Sequence, residues 1–207
     1  MLKLNRRAMI ALAAAATAAM TPALAEDVAA PAAAPGDFSI GAADAKVKIV
    51  EYASYTCPHC AHFHETVFGE LKKNYIDTGK VHFTLREVYF DRYGLWAAMV
   101  ARCGGEMRYF GIHDMLFAKQ SEWAASEDPA QVVANLKAIG LAAGVDQAAL
   151  DACLDDQGQA EAMIAQFEAN MAADDVKGTP TIIVNGTKYS NMTYEELAAI
   201  LDAELAK

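Results

Sequence analysis

The chain has 207 residues, 54% of them hydrophobic and 21% charged, with a formal net charge of −10 at pH 7. That length holds one sizeable core or two small ones, and the balance of apolar and charged residues is that of a globular chain, not a disordered one. An acidic surface is repelled by phosphate backbones and anionic headgroups, so neither nucleic acid nor an anionic membrane surface is an expected partner.

Lys3, Arg6 and Arg7 precede the apolar run from Ala8 to Met20, and Ala23-Leu24-Ala25 completes the pattern of an export signal with a small-residue cleavage site. Residues 1–25 are therefore expected to be a signal peptide removed before Glu26; a membrane anchor is the other reading of so short a run. Losing the three basic residues makes the mature chain more acidic still. Export also places all four cysteines in a compartment where disulfides persist. Residues 26–37 are rich in Ala and Pro, have no periodic apolar face and read as a flexible linker. Phe38-Ser39-Ile40 is expected to add a short edge strand.

Residues 47–53 are β-branched and apolar and read as a buried strand. Glu51 is an acid within that run, six residues before Cys57; an exposed glutamate on an edge strand is the plain alternative. A turn leads to Cys57-Pro58-His59-Cys60 and to a helical pattern over residues 58–76, with Phe63, Val67, Phe68 and Leu71 as its apolar stripe. Pro58 suits the first helical position, because its missing N–H breaks no bond there. Cys57 then falls at the N-cap, beside free backbone N–H groups and the positive end of the helix dipole. Cys60 lies one turn on, within reach of Cys57, and the spacing points to a reversible disulfide. The helix terminus, and His59 when protonated, favour a Cys57 thiolate, which makes this sulfur a good leaving group.

Other uses of the motif are weaker. Half of a zinc site would need a second spaced pair to close it, although His59, His62 and His64 are nearby donors. Covalent haem attachment requires a histidine where Ala61 stands. No metal and no cofactor is expected, and His62 and His64 read as polar residues on the exposed part of the helix.

Residues 81–88 alternate apolar and polar, as a half-buried strand does, and complete a β-α-β unit with parallel strands and a right-handed crossover. From Tyr89 to about Asp175 only helical patterns occur. Trp96, Met99, Val100 and Cys103 share one face closed by Gly104-Gly105, Asp128-Pro129 opens another helix, and Leu150, Cys153 and Leu154 mark a further one. Strand character resumes at Thr181–Val184. Asn185-Gly186 is a tight-turn signal before a partner strand over 187–190, and Thr193 with Glu196 forms a capping box for a terminal helix.

Strand, Cys57-Pro58-His59-Cys60, helix and a distant Gly178-Thr179-Pro180-Thr181 before a second strand resemble the thioredoxin superfamily. The cysteine quartet with a long helical stretch inside the fold resembles its DsbA-type oxidoreductases. The resemblance implies an α/β, thioredoxin-like fold over residues 38–88 and 176–207, with an inserted α-helical domain over 89–175. It implies a periplasmic thiol:disulfide oxidoreductase that donates its disulfide to reduced exported proteins, with Cys57 as nucleophile and leaving group, Cys60 as resolving cysteine and His59 tuning the pair. Glu51, by the same resemblance, takes or relays the Cys60 proton. Pro58, Thr179 and Pro180 are implied in substrate binding, Pro180 through a cis peptide bond and Thr179 through its exposed backbone. A quinone-linked membrane oxidase resembling DsbB is the implied reoxidant, and a monomer is expected. Threonine before the proline also occurs in disulfide isomerases, so an isomerase or reductase is the first alternative; a metal-binding or chaperone-like module is the second. Cys103 and Cys153, on apolar faces 50 residues apart in an exported chain, are expected to form a structural disulfide, as some DsbA-like proteins carry in this region. Two buried free thiols are the alternative.

Overall fold

The structure is a computed structural model that describes residues 35–207. The signal peptide and most of the linker read from the sequence lie outside the described residues. Five strands form one mixed sheet in the order β1-β3-β2-β4-β5. They are β1 (Phe38–Ile40), β2 (Val47–Ala53), β3 (Val81–Glu87), β4 (Thr181–Val184) and β5 (Thr187–Tyr189). The central strand β2 pairs in parallel with β3, Ile49 opposite Phe83, and antiparallel with β4, Ile49 opposite Val184. A strand paired on both edges must satisfy its backbone within the sheet and bury its side chains, and β2 does so: five of its seven residues are buried. The short strands β1 and β5 lie at the edges, where little unpaired backbone is left open.

The helical run after Cys57 is not uniform. It passes from α1 (Pro58–Phe63) through a π-helical turn (His64–Phe68) to α2 (Gly69–Leu71) and a second π-helical turn (Lys72–Ile76). The stretch after β3 holds six helices: α3 (Arg92–Cys103), α4 (Gly105–Ala118), α5 (Gln120–Trp123), α6 (Pro129–Ala142), α7 (Gln147–Asp155) and α8 (Gln157–Ala173). The terminal helix is α9 (Tyr194–Ala206). Between α3 and α4 the chain turns at Gly104, where a Cβ would lie 2.5 Å from the Ile112 side chain, and Gly105 has φ +65°, so both positions favour glycine.

One apolar cluster runs through both parts. Val47, Ile49, Phe63, Leu71, Phe83 and Leu197 from the sheet and its flanking helices are continuous with Val100, Tyr109, Ile112, Leu116 and Leu136 from the inserted helices. Inside this core Glu87 of β3 pairs with Arg102 of α3, their side chains only 2% and 7% exposed. The Glu87 carboxylate also accepts from the hydroxyls of Tyr109 (2.6 Å) and Tyr89 (3.0 Å). A buried charge needs such partners, so this cluster fixes where the helical layer sits on the sheet. The sulfurs of Cys103 and Cys153 are bonded, joining the end of α3 to α7 across Cα atoms 6.1 Å apart.

Candidate active site

Beyond β2 the chain turns through Ser54-Tyr55-Thr56, closed by the Cys57 N–H donating to the Ser54 carbonyl at 3.0 Å. Cys57 has extended backbone angles and stands at the N-cap of α1, with Pro58 next. Its carbonyl accepts from the N–H groups of Cys60 and Ala61, both at 3.1 Å. Gln120 of α5 braces the turn from the helical layer, donating its amide to the carbonyls of Tyr55 (2.8 Å) and Cys57 (3.0 Å). On the other side the Thr56 hydroxyl donates to Asp91, which also caps α3. The turn is thus held by hydrogen bonds from two helices of the inserted stretch, α5 and the start of α3.

Cys57 and Cys60 are free thiols with unlike surroundings: Cys57 is partly exposed and Cys60 buried. The Cys57 thiol is lowered from 9.0 to about 5. The Cys60 thiol hydrogen-bonded to it has the largest effect, desolvation opposes, and the Thr179 side chain and the backbone N–H groups of Cys60 and His59 add to the lowering. His59 therefore acts on Cys57 through its backbone, and its exposed ring is not among the strongest influences. The sequence reading gave the helix terminus this effect, with the protonated imidazole of His59 adding to it. Cys60 is pushed far above the ordinary thiol range by its bond to the Cys57 sulfur, by burial and by the nearby Glu51 charge. One sulfur holds charge and the other holds a proton.

Thr179 and Pro180 precede β4 and close the site from above. The Thr179–Pro180 peptide is cis, and the Thr179 carbonyl oxygen lies 3.6 Å from Cys57 Sγ. Pro180 is buried, whereas Pro58 and His59 stand exposed at the helix start.

Glu51 is wholly buried in β2, flanked in the sheet by Leu85 and Ile182, and burial raises its carboxyl to about 8. Its partner is His64, whose Nε2 lies 3.1 Å and 3.2 Å from the two carboxylate oxygens. The sequence reading put His64 on the exposed part of the helix; its side chain is in fact 4% exposed. The reason is helical spacing, since His64 follows buried Cys60 by four residues and shares its face. The signal was present in that interval, and only the polarity of the residue hid it. His62, two residues earlier, is exposed and pairs loosely with Glu65 at 3.8 Å.

Around His64 the fold gathers further rings. Phe117 stacks on it at 4.1 Å, His113 meets it edge-on at 4.5 Å, and His113 Nδ1 bonds to the Tyr55 hydroxyl at 3.1 Å. Burial lowers both imidazoles, His64 to about 3, so both are neutral. Two open grooves flank α1. One, of about 510 Å³, runs between Phe63, Val67, Met192 and Tyr194. The other, of about 650 Å³, is walled by Pro58, His64, Asp114, Phe117 and Gln120. Among the described residues no group of three or more His, Cys, Asp or Glu is placed to hold a metal ion.

A cysteine at a helix N-cap just beyond a central strand, a cis-proline loop facing it and a helical layer between β3 and β4 define a thioredoxin-like fold of the DsbA type. The family model described as thioredoxin matches residues 33–203, and the chain belongs to that family. Among curated relatives it is 35% identical over 167 residues to a putative protein-disulfide oxidoreductase of Rickettsia bellii, covering 80% of this chain and 63% of that one. It is 27% identical over 187 residues to disulfide bond formation protein D of Bacillus subtilis, covering 82% and 78%. The chain thus spans less than two thirds of the length of its rickettsial relative. Among solved structures it resembles alpha-DsbA1 of Wolbachia pipientis, with 25% identity, a TM-score of 0.77 and coverage of 83% of this chain and 92% of that one.

Proposed function

We propose that the protein is a periplasmic thiol:disulfide oxidoreductase that gives its Cys57–Cys60 disulfide to reduced exported proteins. The observation that carries this reading is the opposed acidity of the two cysteines: a Cys57 thiol lowered to about 5, hence a thiolate at neutral pH, beside a Cys60 thiol held protonated. A substrate thiolate attacks exposed Cys57 Sγ, the Cys57–Cys60 bond breaks, and the Cys60 sulfur takes a proton from Glu51, whose carboxyl is still largely protonated at neutral pH. The mixed disulfide is then attacked at the substrate sulfur by a second substrate thiolate, and Cys57 departs as the stabilised thiolate. The substrate loses two electrons and the cysteine pair gains them. Because Cys57 leaves at low cost, the balance favours giving the disulfide away.

The relatives named as a disulfide oxidoreductase and a disulfide bond formation protein support this reading. So do Thr179 and Pro180, whose backbone beside Cys57 suits an extended substrate segment adding as a strand. The matching reoxidant is a membrane oxidase of the DsbB kind, and the working unit is a monomer. Threonine at the position before the cis proline is the feature that favours the second reading, an isomerase or reductase. The test is to mix the oxidised protein with an equimolar peptide carrying two thiols, without metal. The expected result is an oxidised peptide and two new protein thiols, abolished by Cys57→Ala and by Cys60→Ala, because neither variant can hold the disulfide that is given away. A peptide that remains reduced would sink the proposal.

A further inference from the structure

Reoxidation of the pair demands the reverse proton movement, and the fold surrounds the group that must perform it with one hydrogen-bonding partner. With Cys57 held in a mixed disulfide, the Cys60 thiol must lose its proton. Its thiolate then attacks Cys57 Sγ, forming the Cys57–Cys60 bond while the bond to the outside sulfur breaks and that sulfur leaves with the electron pair. Glu51 is the acid whose charge reaches Cys60, but a carboxylate in an apolar sheet interior is costly without a donor. Leu85 and Ile182 beside it in the sheet supply none. His64 does, with Nε2 centred between the two carboxylate oxygens at 3.1 Å and 3.2 Å.

We infer that His64 is a positioning residue, donating its Nε2–H to Glu51 so that a carboxylate is available to take the Cys60 proton when the disulfide closes. The inference rests on the oxidoreductase reading above and assigns a residue to one half of that cycle. The surroundings choose the tautomer. His64 Nδ1 is buried without a partner, and an unpaired acceptor lone pair costs less than an unpaired buried N–H. The ring's stacking on Phe117, its edge contact with His113 and its tilted contact with Phe68 fix its plane. The titratable and charged groups around the pair are Cys60 on α1, Tyr55 before it, His113 and Asp114 on α4, and Glu65 and Lys72 along the groove that His64 walls. His113 is neutral and turned towards Tyr55, so the direct donor to Glu51 from the helical side is His64.

The test uses the full chain with Cys57 carried as a mixed disulfide with glutathione, and follows glutathione release as Cys60 closes the ring, as a function of pH. In the native protein the closure rate should rise with ionisation of Glu51. In His64→Phe, which keeps the stacked ring and removes the donor, the midpoint should move to higher pH with the plateau retained. Each unit of that shift slows closure about tenfold near neutrality. His64→Gln, which restores an N–H donor, should move the midpoint back towards the native value. A His64→Phe midpoint that is unmoved or moved to lower pH overturns the inference, as does failure of Gln to restore it. Should the Phe variant not fold, nitrogen NMR of His64 in the native protein decides: a neutral Nε2–H ring across the neutral range supports the role, and an Nδ1–H ring or protonation at the ordinary histidine pH contradicts it. Closure against glutathione does not require that the protein oxidise peptides, so failure of peptide oxidation and failure of this role are separate outcomes.

Discussion

Cys57 and Glu51 depart from ordinary acidity in opposite directions, and folding stability should register both with opposite sign. The Cys57 thiol falls from 9.0 to about 5 in the folded reduced protein. Its contribution to stability is therefore complete above pH 9 and is lost as pH falls through 5. Glu51 contributes in both redox states, so the stability of the reduced protein minus that of the oxidised one reports the two thiols, and Cys60, raised from 9.0, starts to subtract only as pH passes about 9. This difference should grow as pH rises from about 5 to about 9, measured by denaturant melts of both forms. Glu51, raised from 4.5 to about 8, favours the folded state below 4.5, and that contribution is lost as pH rises through 8. Glu51→Gln, neutral throughout, should flatten the fall in stability across that window, and an unchanged slope would show that the carboxyl is not desolvated as described. At this scale the cysteine pair could be read from its spacing, which is itself the chemistry, whereas the cis-proline loop was implied by the resemblance to thioredoxin-like proteins. His64 could not be read so directly, since a histidine is equally at home on a wet face, and its role depends on Glu51 facing it across the sheet–helix boundary.

Elements were legible where a local rule fixed them. The capping box at α9 is formed as the sequence implies, Thr193 accepting from the Glu196 N–H at 3.3 Å and Glu196 accepting from the Thr193 N–H at 2.9 Å. Thr193→Ala should cost about 1 kcal/mol of stability by removing one satisfied donor, read in thermal or denaturant melts, with dithiol exchange unaffected. The alternation of β3 and the Asn185-Gly186 turn were equally local signals, and β3 and β4–β5 follow them. The π-helical turns after Cys60 were not legible. Each accommodates one extra residue per turn, and no composition rule announces where tertiary packing will impose that. Asp91 was also missed as a device: it caps α3 and at the same time anchors Thr56 beside the cysteines, a link visible only when residues 35 apart in sequence meet.

At the scale of the molecule, periodicity separated strands from helices but said nothing of how the helical stretch docks. The Glu87–Arg102 pair with Tyr89 and Tyr109 provides that docking, and its members come from three segments whose charges read singly as surface groups. The Cys103–Cys153 bond adds a covalent clasp within the same layer. Closing a loop of 50 residues restricts the unfolded chain, so replacing both cysteines by alanine should lower stability by about 4 kcal/mol. Melting temperature and denaturant midpoint should both fall, while exchange at Cys57 and Cys60 persists. Loss of exchange in a folded double variant would give this bond a part in the chemistry that its distance from the cysteine turn in sequence does not suggest.

A fold that lowers the Cys57 thiol to about 5 favours the reduced Cys57–Cys60 pair, and its disulfide is therefore expected to be a strong oxidant. The equilibrium of that pair against a glutathione buffer measures this directly. A potential above about −200 mV, on the oxidising side of the glutaredoxins, is expected. A pair poised near the roughly −270 mV typical of thioredoxin would contradict it and make the protein a reductant.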